Sequence, residues 1–94
     1  MEREPVIQDI ILEDINGWFS LEAYDDTGDT IWVGIDDETQ SEYCLCTALE
    51  GYICSDPSLY EVLVQFTDRY YVSFDLVKQI FKFARSYTHN DINF

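Results

Sequence analysis

Asn16-Gly17 stands between two runs rich in apolar and β-branched residues, and few dipeptides restrict a chain more. Both central residues of a type I′ turn need positive φ, which asparagine and glycine tolerate. The pair predicts a hairpin of residues 6–15 with residues 18–24. In this register Leu12 faces Leu21 and Ile10 faces Ala23 on one side, while Ile15 faces Trp18 on the other. A helix over residues 5–15 that stops at Gly17 is the competing reading, because proline in the first turn and glycine past the last are helix punctuation. Five β-branched residues, and Asp14 inside the helical apolar arc, favour the strand.

The alternation continues. Phe19, Leu21 and Ala23 share a side, as do Ile31, Val33 and Ile35 in residues 30–36. A loop of Asp25-Asp26-Thr27-Gly28-Asp29 would set Ala23 opposite Ile31, Leu21 opposite Val33 and Phe19 opposite Ile35. The other face then shows Trp18, Ser20, Glu22 and Tyr24 beside Thr30, Trp32, Gly34 and Asp36, an aromatic and acidic surface. Residues 37–41 read as a turn and 42–48 as a fourth strand, although Leu45, Leu49, Tyr52 and Ile53 also suit a helix face. After the break at Ser55-Asp56-Pro57-Ser58, residues 60–66 and 70–74 read as a hairpin through Thr67-Asp68-Arg69. That register sets Phe66 against Tyr70, Val64 against Val72 and Val62 against Phe74. Asp75 reads as the N-cap of a helix over residues 76–87, with Leu76, Ile80, Phe83, Ala84 and Tyr87 at helical spacing. The expected fold class is α+β: an antiparallel sheet of about five to six strands, a meander plus a C-terminal hairpin, with a C-terminal helix packed on one face. Ninety-four residues, 47% of them apolar, suffice for one domain over residues 1–94 and exclude a disordered acidic tail.

Charge narrows the function. Nineteen carboxylates against five Lys and Arg leave −14, which argues against a protein that neutralises nucleic-acid phosphates itself. Between Glu4 and Asp68 there are sixteen carboxylates and no Lys or Arg. The densest stretch holds Glu22, Asp25, Asp26, Asp29, Asp36, Asp37, Glu38 and Glu42. Such a surface repels itself. It either serves solubility or meets a basic partner, and the length of the base-free run favours the partner. These eight acids, with Trp32, are the expected partner-binding residues. Trp18, Trp32 and Tyr24 share their predicted face with Glu22 and Asp36, the composition of an interface anchor with a charged rim. Lys78, Lys82 and Arg85 share a helix face; they read as solvation of the helix and relief of the acidic field more than as a cationic contact site.

Catalytic patterns are weak. Cys44, Cys46, Cys54 and His89 could supply metal ligands, but zinc knuckles space their cysteines by two to four residues, and buried cysteine behaves as a small hydrophobe. The 25–29 loop lacks the spacing of a calcium-binding loop and is explained by turn chemistry. No phosphate-binding glycine loop or nucleophile elbow occurs, so no catalytic residue, metal or other cofactor is expected. Three cysteines make an odd set that fits a reducing cytoplasm. Residues 1–5 lack the basic and apolar regions of a secretory signal, and no apolar run reaches the length of a membrane span.

In size and charge, through runs such as Asp25-Asp26-Thr27-Gly28-Asp29 and Asp36-Asp37-Glu38, the chain resembles the small acidic anti-defence proteins of phages and mobile elements, among them anti-CRISPR proteins and restriction inhibitors. The resemblance rests on no specific motif and transfers no functional residue. It implies a stoichiometric inhibitor, monomeric or homodimeric and cytoplasmic, that blocks the basic surface of a nucleic-acid-binding protein or CRISPR effector complex without touching nucleic acid or membrane. A bacterial immunity protein that neutralises a nuclease toxin is the alternative. A thiol or metal-dependent protein built on Cys44, Cys46 and Cys54 is more distant, as is a structural or oligomerisation module.

Overall fold

A computed structural model describes residues 4–87. Five strands come first, β1 (Ile7–Ile15), β2 (Trp18–Asp25), β3 (Thr30–Ile35), β4 (Tyr43–Thr47) and β5 (Gly51–Asp56). Two helices follow, α1 (Leu59–Arg69) and α2 (Phe74–Ala84), and a 3₁₀ turn spans Arg85–Tyr87. The strands form one antiparallel sheet in sequence order, a five-stranded meander. The α+β class is as expected.

The first hairpin closes as its turn residues dictate. Asn16 and Gly17 have φ of 55° and 88°, and the Asp14 carboxylate accepts the Gly17 N–H at 2.9 Å. Leu12 pairs with Leu21, Ile10 with Ala23 and Ile15 with Trp18. In the second hairpin Ala23 pairs with Ile31 and Leu21 with Val33. Phe19 and Ile35 fall past the end of that ladder; Ile35 pairs with Tyr43 instead, and the Phe19 N–H is 3.4 Å from the Tyr43 hydroxyl oxygen. The fourth strand is present and the alternative helix over that segment is not. A fifth strand, absent from the sequence reading, follows it. Its ladder skips Ile53, since Leu45 pairs with Cys54 and Cys46 with Tyr52, and that bulge breaks the alternation which would have marked the strand.

The hairpin expected over residues 60–74 is replaced by α1. Leu59, Val62, Leu63 and Phe66 are all buried, and their spacing of three and four is that of one helix face. Ser58 caps the helix by accepting the Glu61 N–H at 3.4 Å. A strand would have pointed Val64 the same way as Val62 and Phe66, yet Val64 is only half-buried. Helix α2 begins at Phe74, two residues before the expected start, because Ser73 rather than Asp75 is its N-cap and accepts the Leu76 N–H at 3.4 Å. Between the helices, Tyr71 exchanges backbone hydrogen bonds with the N-terminal segment, Ile7 N to Tyr71 O and Tyr71 N to Pro5 O, each 2.9 Å.

One hydrophobic cluster joins these elements. Phe19, Leu21, Ala23, Ile31, Val33, Tyr43 and Leu45 supply it from the sheet, α1 adds the four residues above, and α2 adds Ile80 and Ala84. Phe83 and Tyr87 set their rings against Phe19, with centroids at 5.8 and 5.9 Å. Among the described residues no helix is long and apolar enough to cross a membrane.

Candidate functional site

Residues that alternate with the core set form the outward face of the sheet. One row crosses all five strands, Ile11, Glu22, Trp32, Cys46 and Tyr52, each paired directly with the next. With strands ~4.8 Å apart the row is ~19 Å long. Ile11, Trp32 and Tyr52 are 43%, 42% and 64% exposed, and Ile15 on the same face is 49% exposed. Asp9, beside Tyr24, and Glu13, beside Ser20, share this face. Exposed aromatic and aliphatic groups with interspersed carboxylates have the composition of a protein-binding surface. Sequence reasoning placed Glu22 and Trp32 here but missed Asp9, Ile11, Glu13 and Tyr52. Alternation along β1 was signal enough for the first three.

The expected partner-binding acids do not form one group. Asp25 and Asp29 are 5% and 7% exposed. Asp25 Oδ1 accepts the Thr27 N–H at 2.9 Å, the Thr27 hydroxyl at 2.7 Å and the Asp29 N–H at 3.0 Å. Asp29 accepts the N–H groups of Thr30 and Leu49 at 2.9 and 3.1 Å. Asp26 accepts the Val6 N–H at 3.1 Å. Asp25 braces its own turn, Asp26 ties that turn to the N-terminal segment and Asp29 ties it to the turn before β5, so turn building rather than display accounts for Asp25 and Asp29. Asp36, Asp37, Glu38 and Glu42 belong to the next turn, which a meander sends to the opposite end of the sheet. The six residues of β3 separate the two ends by ~20 Å. There Asp36 accepts the Glu38 N–H at 2.8 Å, while Asp37 and Glu38 are exposed.

Charge is sorted by layer. Between Ile7 and Asp56 the strands and their turns carry thirteen carboxylates and no Lys or Arg. Residues 59–87 carry three carboxylates and four cations. Arg69 pairs with Glu50 at 2.9 Å, and Lys78 Nζ lies 5.7 Å from the centre of the Phe74 ring. On the outward face the Tyr24 hydroxyl donates to Glu22 Oε2, and that bond pushes the Tyr24 phenol above its ordinary range.

Cys44 and Cys46 point the same way from β4 with Sγ atoms 3.9 Å apart. Burial first, then Cys46, Asp36 and Asp37, push the Cys44 thiol up to about 12. Burial likewise raises Cys54. A thiol held protonated is a poor nucleophile and a poor metal ligand. Among the described residues no three His, Cys, Asp or Glu side chains are grouped to hold a metal ion; His89 lies outside the described residues. No family model, curated protein or solved structure matches the chain.

Proposed function

We propose that this protein is a stoichiometric inhibitor, of the anti-defence kind, that occupies the basic nucleic-acid-binding surface of another cytoplasmic protein and excludes the nucleic acid. The observation that carries the reading is the sorting of charge: thirteen carboxylates and no cation over the sheet segment, with apolar anchors exposed on the same layer. Duplex DNA presents one negative charge per ~1.7 Å of axis, and a groove built for it meets an acidic face by the same Lys and Arg. In this arrangement the helices back one face of the sheet and the outward face meets the partner, Glu22 and Trp32 at its centre and Asp37 and Glu38 at one end. The protein acts by binding alone, without a metal, cofactor or chemical step.

The test is capture followed by competition. The tagged chain is incubated with host lysate treated with nuclease, a retained protein is purified, and its affinity for nucleic acid is measured as this chain is added. Loss of nucleic-acid binding at one equivalent is expected, and the variant D37K/E38K should restore it; Asp36 is left in place because it supports the turn. Capture of no nucleic-acid-binding protein, or full inhibition by D37K/E38K, would contradict the proposal.

A further inference from the structure

We propose that Trp32 and Glu22 form a seat for an arginine side chain, whose guanidinium stacks on the exposed indole while its N–H groups bond the Glu22 carboxylate. This rests on the reading above only in that the partner is basic. It goes further in naming the residue type that anchors it and the point of the face that receives it.

Three features of the structure converge there. Trp32 lies on β3, the middle strand, where the flanking strands hold the backbone rigid, yet the residue is 42% exposed. Indole is the best face for a cation. Glu22 is its direct cross-strand partner, and such pairs set their Cβ atoms ~5 Å apart. A guanidinium stacked on the ring is therefore within reach of the carboxylate. Finally, the Tyr24 hydroxyl donates to Glu22 Oε2, which fixes the carboxylate in advance, and among the described residues no Lys or Arg pairs with Glu22.

The chemistry selects among occupants. A second copy of this face would set Asp9, Glu13 and Glu22 against the same three carboxylates, and nucleic acid would be repelled. A lysine ammonium is a strongly hydrated point charge, whereas the planar, weakly hydrated guanidinium stacks and donates in a fork at once.

The seat is tested on the full chain with two probe peptides, acetyl-(Gly-Arg)₃-amide and its lysine counterpart, followed by tryptophan fluorescence and by the indole N–H signals in NMR. The arginine peptide should bind about fivefold or more tighter than the lysine peptide, shifting the Trp32 indole signal. W32A and E22Q should each abolish that preference, W32F should keep part of it, and D68N, which removes an exposed carboxylate on α1, should leave it intact. Unchanged amide spectra of W32F and E22Q show that the fold is preserved. Equal affinity for the two peptides, or a preference that survives W32A and E22Q, overturns the seat. The two proposals fail separately: arginine preference without capture of a nucleic-acid-binding protein overturns the function, and inhibition without arginine preference overturns the seat.

Discussion

Tyr87 donates its hydroxyl to Asp14 Oδ2 at 2.5 Å, joining residues 73 apart in sequence at one end of the sheet. The bond draws the Asp14 carboxyl below its ordinary value, helped by the Gly17 N–H, and pushes the Tyr87 phenol up to about 12. Each shift couples this bond to the pH dependence of stability. The carboxylate contributes above its unfolded-state pKa, and that contribution is lost as pH falls through its lowered folded value. The phenol contributes below its unfolded-state value of ~10, and its share is lost as pH rises from there through about 12. In Y87F the Asp14 pKa should rise toward the ordinary carboxylate value while keeping the part due to Gly17. Carboxyl carbon NMR titration reads it directly, and an unmoved Asp14 pKa would show that the bond is not made in solution.

Core substitutions separate the helix of residues 59–69 from the hairpin that the same residues also allow. Phe66 is fully buried, its ring 5.5 Å from Tyr70, so Phe66→Ala should cost ~3–5 kcal/mol. Val64, half-buried on another side of the helix, should cost well below that when replaced by Ala. Urea unfolding gives both values. Comparable losses at the two positions would fit a strand, in which both point the same way.

Not every acid of this chain is dispensable to the fold, despite the net charge of −14. Asp25→Ala removes a carboxylate that accepts three hydrogen bonds, and loss of that support should destabilise by ~1–3 kcal/mol. Asp37→Asn, which removes one exposed charge from the acidic turn, should lie within ~0.5 kcal/mol of the parent and gain slightly at low salt, where self-repulsion is least screened. Thermal melts at two ionic strengths distinguish the two acids. A destabilised Asp37→Asn would mean that this carboxylate, too, builds its turn.

The meander was legible because turn chemistry and alternation agree over residues 6–47: Asn16-Gly17 demanded positive φ, and Leu21, Ala23, Ile31 and Val33 admit a single buried register. Helix α1 was not, because Val62, Val64 and Phe66 satisfy a period of two while Leu59, Val62, Leu63 and Phe66 satisfy 3.6, and β-branched residues weight the wrong one. Ser58 with Glu61 three residues on is an N-terminal capping pattern that decides the matter. Strand β5 was hidden by the bulge at Ile53. For the binding surface, acidity was readable and alternation placed Glu22 beside Trp32 on the outward face, but the roles of the turn acids were not readable. Asp25 and Asp29 turn inward to satisfy backbone donors, and successive turns of the sheet carry acids to opposite ends, which no run of charges along a sequence reveals.

The acidic turn and the central anchor should act on different rate constants toward a basic partner. Asp37 and Glu38, exposed at one end of the sheet, contribute mainly long-range attraction, which steers encounter and is screened over ~8 Å at physiological salt. D37K/E38K should therefore slow association and flatten its dependence on ionic strength. Trp32 and Glu22, paired across adjacent central strands, make contacts only once the complex has formed, so W32A should speed dissociation and leave the salt slope of association nearly unchanged. Surface plasmon resonance at 50 and 300 mM salt resolves the two effects. If W32A instead slowed association as much as the double reversal, the central face would be part of the encounter surface and the anchor would lie elsewhere.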